Sequence, residues 1–468
     1  MKKNINKYAR IFSLLLIFFA TSCGKDFLDL NPYQSVALGD AIKEIDDYKA
    51  AVYGIYSGLQ SSNYYGRYFV LVPDVMSDDV KQNAQANRAR DFSDYQATAL
   101  DGIALGMWGI MYDVINRANV VINAEVEVTP AVQDQKDEYV GEAYALRALA
   151  HFDLVRMFAQ HYGFTSDNSH PGVAVVTVFD QNSKPVRNTV AEVYQQIISD
   201  LQTAIPLLKI EPPSAGRISK EAAQALLARV ALYMGNFQMA EQMASAVISS
   251  GNYSLVSTDQ YVDSWSQGLS SESIFEVIFR QDDDNGSDAL GRMYIPEGYG
   301  DYLPSADLLS AIPEGDVRGQ LFKTDETIGG VYGNLRVNKY PNTQYQNNTP
   351  VLRLSEMYLI RAEARAMLGD ETGAQADVTT IRQRGLPSAE AVTATGQTLL
   401  DEIEKEKRIE LMFEGQRLWE LMRHKQSLVR TDCTNLVCDV AYPNNRFVAP
   451  IPQAELDANA NMNQNPGY

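Results

Sequence analysis

Two separate segments, residues 219–250 and 355–384, share one spacing of small residues, and this spacing limits how the chain can fold. The small residues are Ala228, Gly235 and Ala240 in the first segment, and Ala362, Gly369 and Ala374 in the second. In both segments the gaps are seven and then five residues. A glycine ends a helix readily because it adopts a left-handed backbone, and the alanines allow two helices to approach closely. Each segment is therefore predicted to form two helices joined by a tight turn.

This pattern resembles the tetratricopeptide helix–turn–helix, in which small residues recur at the helix contact. Apolar residues at helical spacing extend the prediction over residues 41–60, 139–250 and 352–424. Within the second range, Thr189 and Glu192 have the spacing of a capping box, which predicts a helix start. We therefore predict a mainly α protein whose tetratricopeptide-like helix pairs form a superhelical frame.

Two other segments, residues 61–97 and 252–350, lack this periodicity. The first is rich in Asp, Asn and Arg, and the second in Gly, Asn, Asp, Tyr and Ser. The second also contains a short β-like run over residues 274–279. We predict a loop in the first segment, long loops with small strands in the second, and a C-terminal tail over residues 425–468. Binding sites are common on long loops held by a rigid frame, so the ligand side is expected here.

The N-terminus has the features of a lipoprotein signal peptide over residues 1–22. Four basic residues precede an apolar run over residues 11–20, which is too short to span a bilayer as a helix. Small residues then precede Cys23, which is the predicted site of lipidation and the first residue of the mature chain. An ordinary secretory signal with an incidental cysteine is the alternative. We expect a membrane attachment through the lipid anchor only, because no other segment is apolar enough to span a bilayer.

Charge and cysteine content exclude several classes of protein. Lys and Arg number 40 against 59 Asp and Glu, which gives a formal net charge of −19. A nucleic acid would be repelled by this charge, so we expect no nucleic-acid partner. Besides Cys23, the chain contains only Cys433 and Cys438, which could form a disulfide in an oxidising compartment. No clustered histidines or second cysteine pair accompany them, so we expect neither a metal site nor a cofactor.

Motifs spread along the mature chain carry a resemblance to a known family. They are FLDLNP at residues 27–32, WGIMYDVINRAN at 108–119, EA at 142–143 with LRA at 146–148, GNYSL at 251–255, RLSEMYL at 353–359, RAEA at 361–364, RIEL at 408–411, EGQR at 414–417, Leu421 and Arg423, PIP at 450–452, EL at 455–456 and QNPGY at 464–468. Their number and order resemble the SusD/RagB family of outer-membrane nutrient-binding lipoproteins. The resemblance implies one SusD-like domain over residues 23–468.

The resemblance also implies a division of labour. Proteins of this family bind oligomeric nutrients outside the cell and act as lids on SusC-like transporters that depend on TonB. The tetratricopeptide-like helices would face the transporter, and the irregular segments would bind the ligand. We therefore expect a binding protein and not an enzyme, anchored at the cell outer membrane and facing outward. Its expected ligand is an oligosaccharide or polysaccharide, with a peptide as the alternative.

Sugar binding requires an aromatic ring for the apolar face of the sugar and planar polar groups for its hydroxyls. We predict that the site lies where the segment at residues 74–95 meets the second irregular segment. The predicted ligand-binding residues are Asp74, Asp78, Asn83, Arg90, Tyr95, Trp265, Tyr299 and Tyr302. Trp108 and Trp419 fall within helical motifs, so we assign both to the core.

Two functional alternatives rest on other features. Glu410, Glu414 and Arg417 are spaced for one helical face, where two carboxylates could serve as acid and base in glycoside hydrolysis. We favour a structural ion-pair network, because charge pairs at this spacing are common on helices. A pure protein-binding scaffold is the third reading, which the irregular segment at residues 252–350 disfavours.

An acidic stretch at residues 282–288 resembles a calcium loop around Gly286. However, the ligand positions at either end of such a loop would be Gln281 and Arg292, which are unsuited to calcium. We therefore interpret the stretch as a solvated acidic turn.

Overall fold

A computed structural model of the chain describes residues 42–83, 86–209, 215–325, 335–344 and 346–468. The predicted signal peptide, residues 1–22, and the predicted lipidation residue Cys23 lie outside the described residues. About 51% of the chain is helical, which confirms the prediction of a mainly α protein. None of the described helices is both long and apolar enough to cross a membrane.

The helices and strands are numbered separately in chain order. The helices are α1 Ile45–Leu59, α2 Tyr68–Val75, α3 Arg90–Ser93, α4 Gly102–Ile122, α5 Gln133–Phe158, α6 Val190–Ala204, α7 Lys220–Tyr233, α8 Phe237–Ser249, α9 Tyr261–Gln267, α10 Leu290–Tyr294, α11 Ala306–Ala311, α12 Leu354–Leu368, α13 Glu371–Gly385, α14 Gly396–Glu410, α15 Arg417–Arg423 and α16 Gln453–Ala458. The strands are β1 Val80–Gln82, β2 Ser273–Val277, β3 Tyr302–Pro304, β4 Phe322–Thr324, β5 Leu335–Val337, β6 Thr349–Arg353, β7 Leu428–Val429 and β8 Asp439–Val440.

The two segments with the shared spacing form the predicted helix pairs. Helix α7 packs against α8 and α12 against α13, and α8 also packs against α12. Gly235 and Gly369 lie in the turns with φ of 71° and 88°, the left-handed region that favours glycine. The four alanines of the pattern are fully buried: Ala228, Ala240, Ala362 and Ala374. With α4, α5 and α6, which pack in sequence order, these pairs form the helical frame.

Local sequence signals set the ends of the helices in this frame. The predicted capping box starts α6: the Glu192 amide donates to Thr189 Oγ1 at 3.2 Å, and the Thr189 amide donates to Glu192 Oε2 at 2.8 Å. Both amides would otherwise be unpaired in the first turn of the helix. Trp108 and Trp419 are 4% and 3% exposed, so their assignment to the core is confirmed.

The first irregular segment contains more helix than predicted. Helix α2 lies within residues 61–97, which we expected to form a loop. Seven of its eight residues are buried, from Phe69 to Val75. The stretch shows no amphipathic pattern because nearly every face of this helix is covered, so periodicity could not reveal it.

The strands form four two-stranded antiparallel sheets within the described residues: β1 with β3, β2 with β6, β4 with β5, and β7 with β8. Strand β2 falls in the predicted β-like run. Cys433 and Cys438 form a disulfide in the loop between β7 and β8. The β1–β3 and β2–β6 sheets fix contacts between segments far apart in the chain, whereas the other two join neighbouring strands.

The predicted ion-pair network is present, although the predicted helix face is not. Helix α14 ends at Glu410, and the turn that follows places Phe413 at a φ of 61°. Glu410, Glu414 and Arg417 therefore do not share one helical face. Instead, Arg353 Nη1 lies 3.0 Å from Glu410 Oε1 and Arg353 Nη2 lies 2.7 Å from Glu414 Oε1. Both carboxylates are buried and paired, as the ion-pair interpretation predicts.

Candidate functional site

The two segments predicted to form the ligand site do meet. Strand β1 pairs with β3 so that Gln82 lies opposite Tyr302. Beyond the end of the pairing, the Asn83 amide donates to the Asp301 carbonyl at 2.8 Å. This register brings the loop at residues 86–90 beside the stretch that carries Tyr299.

Tyr299 is half-buried, and two guanidinium groups lie close to its ring. The Cζ atom of Arg88 is 3.6 Å from the centre of the Tyr299 ring, and that of Arg292 is 4.6 Å away. Arg88 Nη1 also lies 2.7 Å from Asp301 Oδ2, with about a third of the Arg88 side chain exposed. We call Arg88, Arg292, Tyr299 and Asp301 the tyrosine site.

A second aromatic ring with a cation borders the tyrosine site. The guanidinium of Arg67 lies 4.0 Å from the ring centre of the half-buried Tyr68, and its Nη1 lies 2.6 Å from Asp288 Oδ1. Burial is the main reason that the pKa of Tyr302 is raised, and the charges of both Arg88 and Arg67 act in the opposite direction. The main chain also joins the two regions, because the Leu290 amide donates to the Gly66 carbonyl at 3.0 Å.

This arrangement provides the groups that a hydroxyl-rich ligand requires. Aromatic rings offer apolar faces, guanidinium groups offer several N–H donors, and carboxylates such as Asp288 accept hydrogen bonds from hydroxyls. The Asp288 side chain is 57% exposed and Arg67 is nearly buried, so the pair presents its acceptor to solvent. The site has the chemistry of recognition by stacking and hydrogen bonding.

Two predicted carboxylates, those of Asp74 and Asp78, are buried and hydrogen-bonded to other parts of the protein. Asp74 is 1% exposed; it accepts hydrogen bonds from Tyr294 Oη and from the Gly415 amide, both at 3.0 Å. Burial raises the pKa of Asp74 well above its ordinary value. Asp78 accepts two hydrogen bonds from Arg417, at 2.8 Å and 2.9 Å. Burial opposes its ionisation, but Arg417 lowers the pKa of Asp78 overall. Neither side chain lines the tyrosine site.

Two predicted tyrosines are also internal. Tyr302 is fully buried, and its hydroxyl donates to the Arg88 carbonyl at 2.6 Å. Tyr95 is 9% exposed and donates to the Met76 carbonyl. The prediction of a ligand contact is therefore wrong for these two rings and the two carboxylates, because burial withholds them from a ligand. Tyr302 instead supports the loop that presents Arg88.

Two further predicted residues, Arg90 and Trp265, make contacts outside the tyrosine site. Arg90 is half-buried, and its guanidinium donates to the carbonyls of Asn83 and Ala86 in its own loop. Trp265 is half-buried beside Lys339, whose Nζ lies 4.3 Å from the ring centre. A cavity of about 30 Å³ adjoins Trp265, close to the volume of one water molecule. Trp265 is thus not beside the tyrosine site, and its cavity is too small for a sugar ring.

The sequence patterns do not single out Arg88, Arg292 or the Arg67–Tyr68 pair. Arg88 and Arg90 are two residues apart in one polar loop, and the prediction from sequence names only Arg90. Only the fold reveals that Arg88 lies over Tyr299 while Arg90 binds backbone carbonyls. The adjacent Arg67 and Tyr68 offered a weak signal, because a cation can lie over a neighbouring aromatic ring.

A larger cleft lies elsewhere, on the helical frame. It has a volume of about 640 Å³ and is lined by Tyr233, Met367 and His424 among others, without any of the eight predicted ligand residues. Beside it, Glu363, Glu420 and His424 place possible metal ligands near one another. However, Lys407 and Arg423 already bind both carboxylates. Burial opposes the ionisation of Glu363, but the charges of Arg423 and Lys407 lower its pKa to about 2.

The acidic stretch at residues 282–288 is tied to neighbouring segments. Gln60 Nε2 donates to Asp283 Oδ2 at 2.9 Å, and the Gly286 amide donates to Asp284 Oδ1 at 2.7 Å. The carboxylates thus point to separate partners, as expected of an acidic turn.

Two protein-family models match the chain. The first is described as "SusD family" and matches residues 322–468. The second is described as "Starch-binding associating with outer membrane" and matches residues 26–232. Together they include most of the helical frame and the loop that carries Arg88.

Individual relatives agree with these matches. SusD-like protein P38 of Formosa agariphila is 25% identical, and the alignment covers 100% of both chains. The starch-binding protein SusD of Bacteroides thetaiotaomicron is 33% identical over 28% of this chain and 22% of its own length. A SusD superfamily crystal structure from Bacteroides vulgatus is 29% identical with a TM-score of 0.83, covering 91% of this chain and 100% of its own. The chain belongs to the SusD/RagB family.

Proposed function

We propose that this protein binds oligosaccharides at the tyrosine site and delivers them to a TonB-dependent outer-membrane transporter, on which it acts as a lid. The observation that carries the proposal is the Tyr299 ring beneath Arg88 and Arg292, beside Asp301. The ring and its polar neighbours suit a sugar, which has both an apolar face and hydroxyls. Membership of the family and the starch-binding description of one matching family model support the same ligand class.

The location is proposed on two grounds. The sequence before Cys23 has the features of a lipoprotein signal peptide, and one matching family model is described as associating with the outer membrane. We propose that Cys23 is lipidated and that the mature chain faces the outside of the cell. The helical frame would then contact the SusC-like transporter, which leaves the tyrosine site free for the ligand.

The environment of Glu410 and Glu414 favours binding over glycoside hydrolysis. A general acid for this reaction requires a carboxyl group with a raised pKa. Burial disfavours the charged form of Glu410, but Arg384 and Arg353 lower its pKa far below the usual range. Burial acts in the same way on Glu414, and Arg353 and Lys339 lower its pKa. Neither carboxylate is suited to donate a proton near neutral pH.

The binding proposal can be tested by isothermal titration of the chain from residue 24 to 468 against a panel of oligosaccharides and short peptides. We expect heat of binding with one glycan class. Tyr299→Ala should then weaken binding about tenfold, which corresponds to about 1.4 kcal/mol and is within reach of one lost aromatic contact and its buried area. Arg88→Gln should weaken binding by a similar factor.

A matched control is Tyr358→Ala on α12. Tyr358 is also half-buried, with the guanidinium of Arg361 5.3 Å from its ring centre, but it belongs to the helical frame. We expect unchanged affinity for this variant. If the wild type binds an oligosaccharide and Tyr299→Ala binds it with the same affinity, the ligand does not bind at the tyrosine site. Heat of binding with the peptides alone would show that the ligand is a peptide and not a glycan.

The lid role can be tested separately by purifying the full lipoprotein from membranes. We expect a transporter of the TonB-dependent class to co-purify with it. Cys23→Ala should abolish membrane attachment without changing the oligosaccharide affinity. Recovery of the wild-type protein without any transporter, under conditions that preserve membrane complexes, would contradict the lid role.

A further inference from the structure

A small disulfide-closed hairpin packs against the loop segment that forms one side of the tyrosine site. We call residues 428–440 the cystine hairpin; they comprise β7, β8 and the loop that contains the Cys433–Cys438 disulfide. The two strands have only two residues each. Leu436 at the loop tip is 76% exposed, whereas Leu428 and Val440 in the two strands are buried in the core. The hairpin also makes extensive polar contacts.

Arg430 is the main contact of the cystine hairpin. It is 7% exposed, and its guanidinium donates to four backbone carbonyls. Three belong to the segment at residues 75–93: Val75 at 2.8 Å, Ser77 at 3.0 Å and Ser93 at 2.8 Å. The fourth is Val437 of the hairpin itself, at 3.0 Å. One buried cation thus joins both ends of this segment to the hairpin.

The disulfide loop makes further contacts with the same segment. Thr434 Oγ1 donates to the Gln82 carbonyl at 2.5 Å. The Leu436 amide and Asn435 Nδ2 both donate to Asp94 Oδ1, at 2.9 Å and 3.0 Å. These contacts come from residues that the Cys433–Cys438 bond encloses. The bond therefore holds the donors at fixed positions relative to one another.

A short chain of hydrogen bonds continues from the hairpin to the tyrosine site. Gln82, whose carbonyl binds Thr434, donates from Nε2 to the Arg88 carbonyl at 2.9 Å. Arg88 in turn lies over Tyr299. The position of the Arg88 backbone therefore depends on the β1 segment, and this segment is bound by the hairpin.

We propose that the cystine hairpin is a positioning element that holds residues 80–83 and 86–94, and through them Arg88, in the arrangement that binds ligand. Its role in ligand affinity rests on the proposed function, whereas its hold on the segment does not. A disulfide that encloses so short a loop removes little chain entropy. Its loss should therefore affect the local arrangement more than the global stability.

The experiment uses the full mature lipoprotein in detergent and compares the wild type with the double variant Cys433→Ser/Cys438→Ser. Hydrogen exchange without ligand is followed in peptides from residues 80–94 and, for comparison, from α7 and α8. We expect exchange in residues 80–94 to rise until their amides are nearly unprotected, with no change in the helices. This corresponds to a binding arrangement that is populated about one tenth of the time, so the affinity for the glycan should fall about tenfold.

Dithiothreitol provides an independent test without substitution. Its two thiols reduce the Cys433–Cys438 bond and form a cyclic disulfide, and each protein sulfur becomes a thiol. The reduced wild type should match the double variant, which should not respond to the reagent. Asn435→Ala, which leaves the disulfide intact, should give a smaller rise in exchange in the same residues. Asn461→Ala is the matched control, because Asn461 donates to the Lys184 carbonyl in another loop.

Unchanged exchange in residues 80–94 after loss of the disulfide would overturn the proposal. Increased exchange with unchanged glycan affinity would also overturn it, because the hairpin would then hold the segment without positioning the ligand group. Failure of the wild type to bind any glycan would refute the proposed function alone. The exchange measurement would still decide whether the hairpin holds the segment.

Discussion

The substitution Glu410→Gln tests whether the buried ion-pair network stabilises the fold. Glu410 is fully buried at the end of α14. Its Oε1 lies 2.5 Å from Arg384 Nη2 and 3.0 Å from Arg353 Nη1, and its Oε2 lies 3.3 Å from Arg318 Nη1. Glutamine has nearly the same shape but no charge. The three arginines, which come from separate parts of the chain, would lose a shared anionic partner.

Removing one partner of a buried ion pair costs about 3–5 kcal/mol, because the remaining charges stay desolvated. The unfolding entropy of about 2.1 cal/mol/K per residue gives about 1 kcal/mol/K for a chain of 468 residues. We therefore expect Glu410→Gln to lower the melting temperature by about 3–5 °C at pH 7. Thermal unfolding followed by circular dichroism and by calorimetry would measure this shift.

The effect should also depend on pH. Burial opposes the charge on Glu410, but the neighbouring arginines lower its pKa far below the ordinary value of 4.5. A carboxyl group with a lowered pKa contributes stability above its unfolded pKa and loses it as the pH falls. The difference in melting temperature between the wild type and Glu410→Gln should therefore be smaller at pH 3 than at pH 7.

Glu402→Gln is the matched control on the same helix. Glu402 also pairs with an arginine, Arg382, at 2.5 Å, but its side chain is 37% exposed. An exposed pair of this kind contributes about 0–1 kcal/mol, so we expect a shift of about 1 °C or less. If the two variants melt within 1 °C of each other, or if the Glu410→Gln shift is the same at both pH values, the assigned role of the network is wrong.

Three further predictions concern single positions. Gly415→Ala should destabilise the protein by about 1–3 kcal/mol in urea unfolding, because its φ is 70° and a Cβ would lie 2.9 Å from the Val70 carbonyl oxygen; no measurable change would contradict this. Thr189→Ala should cost about 1 kcal/mol in the same assay through loss of the cap on α6, and Thr203→Ala, in the last turn of that helix, should cost less. Burial lowers the pKa of His151 to about 3, so its imidazole should show no NMR titration between pH 7 and 5. Because the unfolded chain binds this proton below about pH 6.5 and the folded chain does not, His151 should reduce stability as the pH falls from 6.5 towards 3.

The sequence by itself determined the helical frame. Helix pairing around Gly235 and Gly369 and the start of α6 at Thr189 depend on residues close together in the chain, so local periodicity and capping rules could predict them. The meeting of the segment at residues 74–95 with the second irregular segment was also predicted, and the β1–β3 pairing confirms it. Glycine turns and alanine contacts leave few alternatives for such helix pairs.

Only the tertiary structure decided which polar side chains face solvent. Asp74 and Tyr302 look like ligand groups in the sequence, but partners such as Tyr294, some 220 residues from Asp74, bury them. Arg88 and Arg90 differ in role because the register of β1 against β3 places Arg88 over Tyr299. Register and burial depend on contacts between residues far apart in the chain, and local sequence patterns carry no information about these contacts.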